Sequence, residues 1–423
     1  MSGRVVVVGG GPAGASIAWQ LAGLGADVLV LDRARFPRDK ACAEYLSPEA
    51  SRLLHAMGAL ALVEAAGAAQ LRGMIVRAPS GERIVGEFAG ARAASHGYAG
   101  FRDRGLAIRR TRLDPILLDR ARAAGAEVRE GARVVDLETD GRGGVTGVRV
   151  LDGRASRTIP ADLVIGADGL RSVVARRLGV ARQARLPRRL AIVAHFRGVG
   201  GMGESGEMHV EHDGYCGLAD VGGGESNLSL VVPGGRAPEM AGDAAGFLAR
   251  WIAARPQLAA RYRHAERVGP VLTTGPFAAR ARRAWAPGAA LLGDAADYFD
   301  PFTGEGIYSA LRGGELLAPF AAEALAAGSR SARARTALAA YDTARRRAFA
   351  GKWIVERMIA AVVAHPTLMN RAARVLSRRR DMADMLVGVT GDFVPPREVL
   401  RMRYLADLFV LPVRCRWRRG GRP

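Results

Sequence analysis

The sequence predicts an α/β protein: a Rossmann-like domain on a parallel sheet, an inserted antiparallel β-sheet domain, and a C-terminal helical region. Three observations predict it. The β-branched run Val5–Val8 leads into the glycine-rich turn Gly9–Gly14 and then into a helical pattern. Two later apolar strands end in the pairs Asp168–Gly169 and Gly293–Asp294. Between them, short apolar runs recur at turn-punctuated spacing from 190 to 232, the habit of an antiparallel sheet.

The first element carries the sharpest signal. Gly9, Gly11 and Gly14 fit G-x-G-x-x-G, with Pro12 and Ala13 between them. Gly9 permits the tight turn, Gly11 lets backbone approach a pyrophosphate, and Gly14 lets helix and strand pack closely. The helix N-terminus that follows offers free N–H groups and a positive dipole end to phosphates. A second strand, Val28–Leu31, ends in Asp32, placed to accept hydrogen bonds from a ribose. Strand, glycines, helix, strand and acid in that order predict dinucleotide binding. An acid at the carboxyl end of a buried parallel strand lies where open α/β sheets bind ligands, which makes Asp168 and Asp294 further candidates. The Gly304–Gly306 turn opens a long Ala/Leu-rich helix and can present N–H groups to a ring edge.

Length and composition bound the rest. At 423 residues the chain suggests two or three domains. With 49% hydrophobic and 24% charged residues it has apolar surface for a large core, which excludes wholesale disorder. The 54 glycines follow no G-X-Y period, so they serve turns rather than a collagen helix. A net charge of +21 suggests a polyanionic partner, but all the basic residues except Lys40 and Lys352 are arginine. That skew, with abundant alanine, reads as the imprint of a high-GC genome. The arginines are dispersed without interleaved aromatics, so no nucleic-acid partner is expected. Only the stretch from Arg371 is enriched, with Arg378–Arg380 and then Arg414, Arg416, Arg418, Arg419 and Arg422. It is either a solvated face or a point of peripheral contact with an anionic membrane. Cys42, Cys216 and Cys415 are odd in number and lack C-x-x-C, so neither disulfides nor a metal site is expected. No apolar run reaches the ~18 residues of a membrane span, and Gly9–Pro12 breaks the N-terminal run too early for a signal peptide. A cytoplasmic location is expected.

Taken together, the N-terminal fingerprint, the Asp168–Gly169 segment and Gly293–Ile307 resemble the p-hydroxybenzoate hydroxylase superfamily of FAD enzymes. Within it the chain is most similar to the geranylgeranyl reductase family and its oxidoreductase relatives. The stretch Phe36 to Pro48 and the pattern Arg110…Leu113–Asp114 carry the likeness, which covers roughly residues 1–320. The resemblance implies FAD as cofactor. Gly9, Gly11, Pro12 and Ala13 would wrap the pyrophosphate, with Asp32 on the ribose and Arg33 and Val134 on the adenine side. Arg110 and Asp294 would meet the pyrophosphate and ribityl, and Lys40 and Cys42 would belong to the flavin site. Pro301, Gly304, Gly306 and Ile307 would lie against the isoalloxazine. Asp168 and Gly169 would be shared with a nicotinamide donor, NAD(P)H. The FAD-binding domain is expected as three pieces, 1–75, 100–180 and 275–325. The substrate sheet would occupy 76–99 and 181–274, and the helical region 326–423.

Several residues invite a role in the reaction beside an ordinary structural one. Cys42 would face the flavin, where a thiol can protonate a product or merely pack. Tyr215 can donate to a substrate oxygen or belong to the sheet. Glu44 and Tyr45 can line the pocket mouth, His209 and His212 flank a strand, and Phe302 can wall the pocket with Phe299 and Pro301. Prenyl reductases carry a Tyr-x-Trp-x-Phe-Pro strand, and here Tyr215–Cys216–Gly217–Leu218–Ala219–Asp220 keeps only the tyrosine. That widens the pocket and weakens the case for polyprenyl reduction. No tryptophan sits in the Trp-x-Trp-x-Ile-Pro pattern of flavin halogenases. The leading expectation is a single-component, NAD(P)H- and O2-dependent monooxygenase hydroxylating or epoxidising a hydrophobic metabolite. The alternative is an FAD-dependent reductase of C=C bonds in an isoprenoid or lipid. A redox-silent lipid carrier is the reading outside enzymology.

Overall fold

The computed structural model describes residues 3–94, 97–152, 155–183 and 188–410. Arg414, Cys415, Arg416, Arg418, Arg419 and Arg422, to which the membrane expectation attaches, lie outside the described residues.

Arg4–Val8 is the centre of a six-stranded sheet because its valines are buried on both faces. It pairs in parallel with Asp27–Asp32 on one side and Leu163–Gly166 on the other. Leu163–Gly166 pairs in parallel with Ala289–Leu291. The order is therefore Trp285–Ala286, Ala289–Leu291, Leu163–Gly166, Arg4–Val8, Asp27–Asp32, Glu127–Glu130. Three segments more than a hundred residues apart in sequence thus end side by side, bringing Gly9, Asp168 and Gly293–Asp294 to one sheet edge.

Two helices cross above that edge, Pro12–Gly23 and Gly306–Ala326. Their backbones approach closely at Gly314, where a Cβ would sit 2.4 Å from Ser16 Oγ. The Ser16 hydroxyl donates to Leu311 O at 3.0 Å. The N-terminus of Gly306–Ala326 is thereby fixed relative to the glycine-rich turn.

The second layer is a seven-stranded sheet in the order Glu266–Thr274, Arg189–Arg197, Glu225–Pro233, Gly214–Asp220, Ser205–Glu211, Gly73–Arg77, Arg83–Glu87. One pair, Ser205–Glu211 with Gly73–Arg77, runs parallel, so the sheet is mixed rather than wholly antiparallel. The two strands come from separate segments of the chain, which frees them from hairpin direction. Glu266–Thr274 carries no apolar alternation and was not predicted as a strand; it is an exposed edge. Period-two alternation divides the faces. Ile192, Ala194, Cys216, Leu218, Leu228 and Leu230 pack into an apolar cluster with Phe247, Leu248 and Trp251 of helix Ala244–Ala253. The other face looks toward the first domain.

The C-terminal region is helical as expected, led by the 33-residue helix Ala332–Ala364 and continuing through Pro366–Leu376, Arg380–Thr390 and Met402–Phe409. It folds back over the sheet. Gly86 permits this, since a Cβ there would lie 2.4 Å from Val387 Cγ2. No helix among the described residues is long and apolar enough to cross a membrane.

Candidate active site

A cavity of about 1010 Å³ runs between the two layers, from the glycine-rich turn to the inner face of the seven-stranded sheet. Gly9, Gly11, Pro12, Ala13, Asp32, Arg33, Lys40, Arg110, Val134, Asp168, Gly169, Asp294, Pro301, Gly304, Gly306 and Ile307 all line it. The predicted cofactor residues, drawn from seven segments, therefore converge. Gly14 acts one step back: a Cβ there would sit 1.8 Å from Gly9 O, so only glycine lets the helix start against the turn. Gly9 itself has a φ of 103° and no room for a side chain beside Ala167 O.

Asp32 is partly committed to its own loop. It accepts Gly10 N at 2.7 Å and Ala34 N at 2.8 Å, leaving one lone pair per oxygen for a ribose. Asp168 accepts from Val173 N at 2.6 Å at the start of helix Val173–Arg177, which Ser172 caps, while its Oδ1 is buried without a partner among the described residues. Burial pushes its carboxyl upward. Asp294 is likewise pushed up by burial, with Lys40 and Arg110 opposing. Burial lowers Lys40, chiefly against the pull of Asp294.

Arg38 is a site residue that sequence reasoning missed. Its Nη2 lies 3.2 Å from Asp114, which also takes two hydrogen bonds from Arg110 at 2.7 and 2.8 Å. Burial disfavours the Arg110 charge, but Asp114 more than offsets this and holds it well above the ordinary value. Both guanidiniums converge on Gly11: its Cβ position is 3.5 Å from Arg110 Nη2 and 3.6 Å from Arg38 Nη2. Arg38 Nη1 is buried with no hydrogen-bond partner among the described residues. Orphaned donors at a helix N-terminus await an anion, so this cradle fits a pyrophosphate. No local pattern separates Arg38 from the other arginines of the chain.

The candidates for the reaction separate. Cys42 lines the cavity and its Sγ accepts from Glu44 N at 3.3 Å. Burial raises the thiol, with the Arg110 charge opposing. Glu44 touches the cavity but does not form its mouth. It is buried with φ of 61°, a strained conformation for a residue with a side chain. Four contacts hold it there: Arg110 N donates to Oε1 at 2.8 Å, and Oε2 lies 2.7 Å from His195 Nε2 and 3.0 Å from Asn227 Nδ2. Ile108 N donates to its carbonyl at 3.1 Å. This turn aims Cys42 into the cavity.

Tyr215 lines the cavity, but its hydroxyl donates to Asp300 Oδ1 at 2.5 Å rather than standing free for a substrate. Asp300 Oδ2 accepts from Arg189 at 2.7 Å. His209 does not line the cavity. It sits on the opposite face from Met208, 2.9 Å from Glu207, which also pairs with Arg261. Strand alternation decides this, and a one-residue register difference would have reversed it. Tyr45 and Phe302 wall a second, almost wholly apolar cavity of about 100 Å³ instead of the first. Met208 and Thr303 line both cavities. The second one reaches between the sheet and the C-terminal helices, bounded by Met74, Leu376 and Phe409. Tyr298 and Glu356 also line the main cavity and were not anticipated. Among the described residues, no cluster of potential metal ligands occurs.

Comparison with known proteins agrees with this geometry. Residues 3–195 match the FAD binding domain family. The chain is 30% identical over 342 residues to digeranylgeranylglycerophospholipid reductase 2 of Methanopyrus kandleri, spanning 76% of this chain and 77% of that protein. It is 29% identical over 408 residues to menaquinone reductase of Mycolicibacterium smegmatis, spanning 92% and 91%. Among solved structures, a flavoprotein/dehydrogenase from Cytophaga hutchinsonii superposes with a TM-score of 0.78 at 20% identity, covering 92% of this chain and 93% of that one. PqsL, a probable FAD-dependent monooxygenase of Pseudomonas aeruginosa, gives 0.64 at 24%, covering 91% and 99%. The two structural likenesses speak to the fold alone. The sequence relatives and the assembled FAD cradle together identify the chain as a member of the geranylgeranyl reductase family, an FAD-dependent oxidoreductase.

Proposed function

We propose that this enzyme reduces a carbon–carbon double bond in a hydrophobic, isoprenoid- or lipid-like substrate, with NAD(P)H as electron donor. One observation carries the reading: Cys42 presents a thiol, kept protonated by burial, to the cavity that the FAD site opens into. Bound and reduced, FAD supplies a hydride to one carbon of the double bond. The Cys42 thiol gives its proton to the other carbon, so hydride and proton together saturate the bond. The thiolate left behind is steadied by the Arg110 guanidinium and the Glu44 N–H. The adjoining apolar cavity receives the part of the substrate remote from the reacting bond. The relatives named as reductases support this order of preference.

Oxygen insertion, the leading expectation from sequence, is the second reading. It is favoured by Gly217, which faces the cavity where prenyl reductases carry a tryptophan and so leaves the roof open. One experiment separates the two. Enzyme reduced under strict anaerobiosis is mixed with geranylgeranyl lipids or prenylated quinones. Oxidation of its FAD without oxygen, with a product heavier by two hydrogens, supports the reductase. Turnover that waits for oxygen, with ¹⁸O in the product, supports the monooxygenase.

A further inference from the structure

The chain has only two lysines, and one of them, Lys352, is buried where the C-terminal region meets the flavin-facing turn. Its ammonium lies 2.8 Å from Glu305 Oε2, contacts Asp392, and sits 4.4 Å from the centre of the Tyr308 ring. Glu305 is the residue just before helix Gly306–Ala326, whose first turn lines the FAD site. One helical turn beyond Lys352, Glu356 forms part of the cavity wall. No hydrogen bond reaches the Glu356 carboxylate among the described residues.

Two carboxylates, Glu305 and Asp392, therefore contact one ammonium, and a third, Glu356, lies within its electrostatic reach. Fully ionised, the three would leave two negative charges that the ammonium does not compensate. Glu305 and Asp392 lie away from water and Glu356 is half-buried on the cavity wall, so retaining a proton is the cheaper state. The surroundings offer little relief. Asp300, on the turn facing Glu356, adds negative charge but is matched by Arg189. Arg357, next on the helix, is exposed and lies 5.6 Å from the Phe299 ring centre. Tyr298, from strand Asp297–Tyr298, lies within electrostatic reach of both Glu356 and Cys42. Tyr45 lies within reach of Glu305 and Asp392, and Glu49, paired with Arg52, adds negative charge toward Asp392. Burial pushes all three acids upward, Glu356 to about 7. Lys352 is held charged: burial works against it, but Asp392 and Glu305 prevail.

We propose that Glu305, Glu356 and Asp392 around Lys352 form a proton store linked to flavin reduction, with Glu356 as its outlet to the cavity. When the donor passes two electrons and one proton to the flavin, negative charge grows beside Glu305, and the cluster takes a second proton from solvent. Reduction of the substrate consumes the hydride and the Cys42 proton, and Glu356 returns its stored proton through the cavity to the Cys42 thiolate, which restores the thiol. Two-electron reoxidation by another acceptor releases it equally, so the store does not depend on the reductase reading.

The test uses the full-length FAD-loaded enzyme without substrate. It is photoreduced anaerobically in weak buffer from pH 6 to 8.5, and protons taken up per FAD are counted with an indicator dye. Wild type is expected to show a step of about one proton centred near neutral pH. Glu356→Gln is expected to lose the step while keeping FAD and its unfolding midpoint, and Glu356→Asp to keep it with a displaced centre. A Glu356→Gln profile matching wild type overturns the proposal. So does equal loss of the step in Glu323→Gln, on an outer helix position. If Glu356→Gln does not fold, an unmoved centre in Glu356→Asp overturns it as well. The reductase reading is decided separately by product analysis.

Discussion

The Tyr215 hydroxyl donates a 2.5 Å hydrogen bond to Asp300, joining the roof of the cavity to the turn that carries Pro301 and Gly304. Asp300 also accepts Phe302 N at 3.1 Å, which starts the turn. The tyrosine that the family resemblance marks is therefore a clamp between the seven-stranded sheet and the cavity-lining turn, which takes its position from the sheet above it. Tyr215→Phe should cost about 1–2 kcal/mol of stability and loosen the turn. Chemical denaturation measures the first. A several-fold rise in the FAD dissociation constant, without loss of the fold, measures the second.

Cys42 is expected to matter for turnover and not for cofactor retention. Cys42→Ala should lower kcat by about 10²–10⁴-fold, the usual range for a lost proton donor. FAD titration of the variant should match wild type within a factor of about three. Equal loss of both would mean that the thiol packs rather than reacts.

Arg38 and Arg110 converge on Gly11, and Arg38 has a spare buried donor. Arg38→Ala should weaken FAD binding by about 10–100-fold through loss of charge-assisted hydrogen bonds. Arg38→Lys should recover only part, because an ammonium cannot span Asp114 and a phosphate together. Isothermal titration of apoprotein with FAD, and with riboflavin as the phosphate-free control, reads the difference.

Acid stability should depend on Glu207. Burial alone would raise its carboxyl, but His209 and Arg261 hold it down to about 2, against about 4.3 in an unfolded chain. A depressed folded value means the contribution is fully present above the unfolded value and is lost as pH falls toward the folded one. Unfolding midpoints should therefore drop between about pH 4.5 and 2. Glu207→Gln should flatten that slope while lowering the neutral-pH plateau.

Gly217 stands where a Cβ would be 3.2 Å from Met208 Sδ on the cavity face. Gly217→Trp should narrow the cavity and favour slender substrates. Competition between linear and ring-bearing lipids would show a shift in the kcat/KM ratio toward the linear one.

What the sequence determined by itself was the part written in short-range chemistry. Gly9, Gly11, Gly14 and Asp32 lie within one βαβ unit, and each is constrained by a local turn, a helix start or a strand end. The strands at 190–232 and the C-terminal helices were legible from periodicity for the same reason. The tertiary structure alone decided matters of register and of contact across long separations. His209 turned away from the cavity because adjacent strand residues face opposite sides. Tyr45 and Phe302 moved to a second cavity because the C-terminal helices close over the sheet. Arg38 became a site residue only when Asp114 was brought beside it, and Glu356 only when its helix packed against the turn Pro301–Thr303. An isolated arginine or glutamate carries no mark of that, because its chemistry is set by burial and by neighbours distant in the chain.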